Sequence, residues 1–500
     1  MIGEYFVTFL QQTVGVLTPV NLFLMVVGMV LGVLIGALPG LNATLGIALL
    51  TPITFSVPTD NALSVLLSLY IGVMFGGSIS AILINIPGTG SAAATLIDGY
   101  PLAKKGLGAN AIMVSRWASA IGTLLGVLFL LFFAPVLSLI AVNFGSAEYF
   151  WLGIMGILVC GSYSDPKAPY RGWIAGILGL LFSFIGIDDI HAYPRFTFGL
   201  SGLYTGVELI PALIGIFGIP TLISALNIRK ELVTENLGNQ DFKILGFIRK
   251  NILHIFRWAV IGVGIGALPG VGENVAAFMG YSDAKKRHPD RERFGTGEYA
   301  GVAAPETANN AAVGGAILPM LTLGIPGSPP AAVLMGALML HGLKPGPLLL
   351  SNNPEILPQI VAIFFVGTLL TILVGSVMTR PMVAIFKVRN HILMPIVAAL
   401  IVLGAFATRS SDFDIWTVIF FGFVGYVLQK VEINPTPLVL GLILGRIIDA
   451  NMRRVLVIHS GKLIGFFERP ISMVLVALII LSLISPFIDA AKKRRKGNEV

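Results

Sequence analysis

Charge is scarce in this chain, and cysteine is almost missing. Asp, Glu, Lys and Arg together make up 12% of the 500 residues, against about 25% in a typical soluble protein. A single cysteine, Cys160, rules out an internal disulfide and a cysteine metal cluster. It sits in an apolar stretch and reads as a packing residue. The six histidines show no metal-ligand spacing of the HExxH kind. There is no G-x-x-x-x-G-K-[ST] phosphate loop, so the chain shows no means of using ATP, and an ion gradient is the expected energy source. The start, MIGEYFVTFLQQ, has no basic n-region and is not a standard signal peptide. The net charge of +8 lies mostly in short loops and in the tail AKKRRKGNEV. It reads as a positive-inside anchor in a lipid bilayer, not as a nucleic-acid surface.

What is abundant is apolar. Hydrophobic residues are 55% of the chain and mean hydropathy is +0.88. Runs near 20 residues recur along the length, and a run of about 18 or more reads as a membrane span. The expected fold is an all-α polytopic membrane protein. Fifty-eight glycines and 29 prolines suit membrane helices, which carry more of both than soluble helices do.

The pentapeptide GALPG occurs at 36–40 and again at 266–270. A second pair follows in the same order, INIPGTGS at 84–91 and LGIPGSPP at 323–330. Two matched breaks at near-equal spacing predict an internal duplication. The first half is taken as 1–226, with a hairpin at 20–55, a broken helix at 61–103 and scaffold helices at 109–226. Residues 227–250 read as a polar cytoplasmic linker. The second half is 251–500, with a hairpin at 251–282, a broken helix at 301–343, scaffold helices at 354–488 and the basic tail. Basic residues follow the breaks in the first half, at Lys104, Lys105 and Arg116. They precede and flank them in the second, at Arg249, Lys250, Arg257 and 285–293. The reversal predicts inverted repeats, each with a re-entrant hairpin and a broken transmembrane helix. Arg453, Arg454, Lys462 and Arg469 fall where a simple count of spans places the outside, so the scheme strains after residue 430.

In hydrocarbon each freed backbone group needs a partner, and broken helices are tolerated where they line a cavity or meet a ligand. Half-helix N-termini favour anions, and freed carbonyls coordinate Na⁺. Polar residues cluster at the breaks. Asn42, Thr44, Asn85, Thr89, Ser91, Asn274 and Ser328 are candidates for substrate contact. Gly36, Pro39, Gly40, Gly266, Pro269, Gly270 and Glu273 are candidates for a cation, through backbone or side chain. Each could equally be an ordinary helix cap or turn. Glu306, Thr307, Asn309 and Asn310, in PETANN, are candidates for a polar path or gate; the bland alternative is a helix start at the membrane surface. The matching stretch SVLLSLY, 64–70, is apolar, so the halves are not functionally identical. Asp98 is either a path residue or a local partner of Lys104 or Lys105. Asp188, Asp189 and His191 read as a solvated outer loop. Glycines at 28, 32 and 36, and at 262 and 266, have the spacing that lets helices pack closely.

These stretches carry a resemblance. GALPGLNATLGIALLTPITF, YIGVMFGGSISAILINIPGTGSAAATLIDGYPLAKKG, GALPGVGENVAAFMGY, GVAAPETANNAAVGGAILPMLTLGIPGS and PLVLGLILGRIIDANMRR closely resemble the large membrane subunit of the tripartite tricarboxylate transporter family. The resemblance runs along nearly the whole chain. It implies a secondary transporter of the bacterial inner membrane, not an enzyme and without a cofactor. Its substrate would be a carboxylate, citrate-like or of another organic-acid class, taken up by Na⁺ or H⁺ symport. The implied partners are a periplasmic solute-binding protein and a small membrane subunit. The plan also looks like that of elevator transporters. A passive channel, an intramembrane lipid-phosphate enzyme and a non-transporting partner of another permease remain as alternatives on the residues alone.

Overall fold

A computed structural model describes residues 2–38, 40–159, 161, 168–188, 192–226, 242–386, 388 and 390–481. Pro39, Cys160, Asp189, His191, the linker at 227–241 and the basic tail lie outside the described residues. The helices of the first half are α1 (Ile2–Val16), α2 (Pro19–Ala37), α3 (Ala43–Leu50), α4 (Thr59–Ile84), α5 (Ala92–Lys104), α6 (Gly108–Ala141), α7 (Ser146–Val159), α8 (Tyr170–Ser183), α9 (Leu209–Leu213) and α10 (Ile219–Leu226). Those of the second are α11 (Ile244–Gly266), α12 (Gly272–Arg287), α13 (Tyr299–Leu323), α14 (Pro329–Leu340), α15 (Leu349–Asn352), α16 (Ile356–Phe386), α17 (Asn390–Arg409), α18 (Asp412–Lys430), α19 (Thr436–Ile458) and α20 (Pro470–Leu481). Strand structure among the described residues is one two-residue pair, β1 (Gly186–Ile187) antiparallel to β2 (Pro194–Arg195). Five helices, α2, α4, α6, α16 and α18, are long and apolar enough to cross a membrane. Large apolar side chains such as Phe23, Leu253, Leu373 and Val377 stay exposed, as a lipid-facing surface requires.

The chain forms two compact units, and each draws on both sequence halves. One consists of Met1–Leu139 with Glu208–Val431, the other of Ile140–Val207 with Glu432–Val500. The first unit holds all four stretches read from the sequence as hairpins and broken helices, 20–55, 61–103, 251–282 and 301–343. Thr18 caps α2 by accepting from the Asn21 N–H at 3.4 Å, and Pro19 fits the first helical position, where no N–H is needed. The helix stops at GALPG, where Gly40 takes φ +94°, and Gly270 does the same at +80°. That left-handed backbone explains the final glycine of each copy. α4 ends at Asn85 (φ +56°) and α13 ends at Gly324 (φ +71°), again left-handed and again at matching places. One turn is then closed by the same bond in each half: Gly88 N–H donates to Gly77 O at 3.3 Å, and Gly327 N–H to Ala316 O at 3.2 Å.

Glycine spacing fixes how hairpin and broken helix pack. A Cβ at Gly32 or Gly36 would strike the carbonyl oxygens of Leu69 or Val73 on α4. A Cβ at Gly262 or Gly266 would strike those of Ala308 or Ala312 on α13. The contact is reciprocal, with Gly76 against Val33 O and Gly315 against Val263 O. Leu69 and Ala308, Val73 and Ala312, and Gly76 and Gly315 all stand 239 residues apart. The duplicated sequence therefore makes a duplicated set of backbone contacts. The halves also exchange helices: Gly122 and Gly126 of α6 pack on α13, while Gly367 and Gly375 of α16 pack on Ile71 and Phe75 of α4.

Three sequence expectations are corrected. The linker does not extend to 250, because α11 begins at Ile244; Ile244, Phe247 and Ile248 recur at helical spacing and pack on the core formed by α11, α12 and α13. Arg453 and Arg454, which a simple count of spans places in an outer stretch, lie within α19, which runs on to Ile458. Arg453 there bonds Asp449 at 2.9 Å and also Asp188, so it is a paired group of the second unit and no marker of a loop. Asp188 is accordingly buried and not solvated. In the same unit, Glu148 is fully buried and takes bonds from Arg469 at 2.9 Å and Ser472 at 2.7 Å. Close approach of Gly441 to the Gly176 carbonyl seats α19 on α8.

Candidate functional site

The helix breaks of the first unit meet one another. The Gly36 carbonyl, from the first GALPG, lies against Gly88 of the first IPG. The Gly266 carbonyl, from the second GALPG, lies against Gly327 of the second IPG. Across the halves, a Cβ at Gly90 would meet the Asn274 side-chain nitrogen at 2.7 Å, so the tip of hairpin 251–282 touches the first broken helix. The glycines are there because backbone meets backbone or side chain with no room for a Cβ.

The side chains at these breaks sort into groups. Tyr70 OH donates to the buried Glu273 carboxylate and stands 3.2 Å from Ser328 Oγ. Ser328 also caps α14 by accepting from Ala331 N–H at 3.3 Å. Thr89 Oγ1 and Ser91 Oγ are 3.1 Å apart and buried. Asn42 caps α3, accepting from Leu45 N–H at 2.9 Å, and Thr44 is buried in its first turn. Asn274 is exposed, and Asn85 is exposed and serves the break through its left-handed backbone. Pro269 is half-buried within the second GALPG turn.

A second polar group runs along α13. Residues 305–310 lie inside the first unit and not at a surface, for Glu306, Thr307, Asn309 and Asn310 are all at most 1% exposed. Glu306 accepts from Thr95 Oγ1 at 2.5 Å and Ser119 Oγ at 2.9 Å. Asn310 donates to the Glu306 carbonyl at 2.9 Å. Thr307 Oγ1 and both polar atoms of the Asn309 amide have no hydrogen-bond partner in the protein. Among the described residues no ion pair includes Glu273 or Glu306. A buried carboxylate without a cation beside it is costly to keep charged.

Asp98 has other partners than the expected local pair with Lys104 or Lys105. It accepts from the N–H groups of Gly295 at 2.9 Å, Gly297 at 2.9 Å and Glu298 at 2.8 Å, and from Tyr281 OH at 2.9 Å. It fastens the loop that leads into α13, and Lys104 lies instead over the Tyr100 ring. A cavity of about 390 Å³ opens beside that loop, lined by Lys250, His254, Trp258, Arg287, Arg293 and Glu298 among others, apart from the breaks.

Tyr70, Thr95 and Ser119 were not singled out by the sequence. Tyr70 had one available signal. It ends SVLLSLY, the stretch that matches PETANN, and falls opposite Asn309 at the same 239-residue spacing. Thr95 lies one helical turn after Ser91, so hydroxyls recur on one side of α5.

The helices and their converging breaks define a multi-pass helical membrane protein with a polar centre built from helix ends. Residues 22–440 match the family described as the tripartite tricarboxylate transporter TctA family, and the chain belongs to it. That is a family of transporters and not of enzymes, which removes the lipid-phosphate enzyme from consideration. The chain is 34% identical over 487 residues to an uncharacterized 52.8 kDa protein in the TAR-I ttuC′ 3′ region of Agrobacterium vitis, covering 96% of this chain and 95% of that one. It is also 33% identical over 231 residues to an uncharacterized protein in the TAR-II ttuC′ 3′ region of the same organism, covering 46% of this chain and 96% of that one. No solved structure matches the chain.

Proposed function

We propose that this chain is the permease subunit of a tripartite carboxylate uptake system in a bacterial inner membrane, driven by a Na⁺ or H⁺ gradient. The observation that carries the reading is the contact of the helix breaks in series, Gly36 with Gly88, Gly90 with Asn274 and Gly266 with Gly327, with Tyr70, Glu273 and Ser328 bonded beside the second pair. Half-helix N-termini supply partial positive charge for a carboxylate where no Lys or Arg stands in the breaks. Glu273 holds the coupling ion with Tyr70 OH, Ser328 Oγ and carbonyls of 266–270, and Glu306 with Thr95 and Ser119 forms a second protonatable station. The recurrence of each backbone contact, at a spacing of 230 residues on the hairpin side and 239 on the broken-helix side, supports two repeats, and the reversed basic residues support their inversion. Such a pair would carry substrate by an elevator movement.

The partners are a periplasmic solute-binding protein, which delivers the substrate, and a small membrane subunit. The test is uptake into proteoliposomes that hold this chain and the small subunit, with the binding protein outside. Citrate, succinate and acetate would be offered with Na⁺ and H⁺ gradients imposed separately. Accumulation against a gradient is expected with one ion. Uptake that only equilibrates would establish a channel. Full uptake after cross-linking the hairpins to α16 or α18 would remove the elevator movement.

A further inference from the structure

The second hairpin tip shows how this protein holds a carboxylate. Glu273 stands in the first turn of α12, at the positive end of that helix, and Tyr70 OH reaches it across the halves beside Ser328 Oγ. Each of these residues has a counterpart fixed by the repeated backbone contacts. Ala43, in the first turn of α3, corresponds to Glu273, at the spacing that relates Gly36 to Gly266. Asn309 corresponds to Tyr70, and Thr89 to Ser328, at the spacing that relates Leu69 to Ala308 and Gly88 to Gly327.

The two arrangements share their glycine-to-carbonyl contacts and differ in side chains and in the residue just before each helix turn, extended in Asn42 (φ −146°) and left-handed in Gly272 (φ +71°). The first has its own carboxylate. The second has a methyl group at Ala43 instead, so no side chain supplies negative charge to the start of α3. Asn42 caps only the Leu45 N–H, and the amides of Ala43 and Thr44 lie ahead of that bond. Asn309 is 1% exposed, and its Nδ2 and Oδ1 have no partner in the protein. A buried amide with neither end satisfied is rare and points to a ligand. Asparagine is also much shorter than tyrosine. It cannot span to the opposite tip as Tyr70 does.

We propose that a carboxylate group of the substrate binds between Asn309, Thr89 and the N-terminus of α3, in the place equivalent to the one Glu273 takes at α12. The inference rests on the carboxylate reading above and deepens it. Asn309 Nδ2 and Thr89 Oγ1 donate to the carboxylate oxygens, and the amides of Ala43 and Thr44 supply the helix-end charge. The seat is neutral, so it binds the anion without a fixed cation and releases it readily. Glu273, filling the other seat permanently, is left to carry the coupling ion.

The experiment is equilibrium binding of radiolabelled citrate, succinate and acetate to the detergent-purified full chain, with uptake measured in parallel. Asn309→Ala should weaken binding of the accepted acid about ten- to a hundredfold, the usual effect of losing a bond to a charged group. Asn309→Asp has the same shape and should weaken it at least as much, by repulsion. Ala43→Glu should place a built-in carboxylate in the seat and abolish binding, while Ala43→Gln, of equal size, should retain more of it. Wild-type affinity in Asn309→Asp, or equal binding by Ala43→Glu and Ala43→Gln, overturns the proposal while leaving the carboxylate reading intact. A wild-type chain that neither binds nor transports any of the three acids overturns that reading, and the proposal with it.

Discussion

Glu273 and Ala43 stand at matching positions in two hairpin tips that share the left-handed glycine ending GALPG and the contacts of Gly36 and Gly266 with helix carbonyls, while left-handed Gly272 stands in one tip where extended Asn42 stands in the other. One tip is closed by a carboxylate, a tyrosine hydroxyl and a serine hydroxyl. The other has a methyl group, an asparagine amide and a threonine hydroxyl. In each tip the same Leu-Pro-Gly stretch leads into a helix start. Divergence of three side chains gave one copy a resident charge and left the other neutral. Backbone symmetry in a transporter is therefore compatible with a division of labour.

The comparison breaks most severely at the glycines. Gly36→Val and Gly266→Val would each drive side-chain carbon into a helix carbonyl, and each should cost more than about 3 kcal/mol, beyond ordinary overpacking. Thermal unfolding in detergent would measure it. Equal losses at the two positions sharpen the equivalence, and a large difference breaks it. Asp98→Ala comes next. It leaves three N–H groups and Tyr281 OH without their acceptor, and the expected loss is about 3 kcal/mol. The position matching Asp98 in the second half is Ala337, so Ala337→Asp should bring no comparable gain. Faster protease cleavage at 288–298 would report the loosened loop in Asp98→Ala.

A smaller effect is expected from Glu273→Gln. It keeps the contact with Tyr70 and should cost about 1 kcal/mol of stability. Uptake should persist as exchange but lose its response to the imposed ion gradient. Undiminished gradient-driven accumulation in this variant would move the coupling site to Glu306. The smallest effect belongs to Gly264→Ala on α11. No atom lies within 4 Å of a Cβ there, in contrast to Gly262 and Gly266 on the same helix. The substitution should stabilise by about 0.5–1 kcal/mol, the helix-propensity difference.

The helix breaks were legible in the sequence because Gly and Pro act locally. A left-handed turn or a missing N–H ends a helix wherever the chain lies. The polar candidates near the breaks were legible for the same reason. Partnerships were not. Asp98 bonds a loop about 200 residues away, and Tyr70 reaches Glu273 at similar separation, so neither contact leaves a local pattern. Asp98 beside Lys104 looked like a pair because proximity in sequence was the only measure at hand. Asp188 looked solvated because the arginine that neutralises it belongs to α19. The linker was drawn too long because the polarity of the whole stretch outweighed the apolar stripe of Ile244, Phe247 and Ile248, which the folded helix partly buries.

The glycine seams have a mechanical consequence. Where α2 meets α4 and α11 meets α13, the meshing parts are notches in one helix and carbonyl oxygens in the other. There are few rotamers in such a joint to relax under load. Sliding either helix by one residue would bring a side chain into a notch sized for hydrogen. Each pair is thus locked against shear and behaves as a single stiff plank. Whatever displacement the protein undergoes has to move each of these planks as a unit.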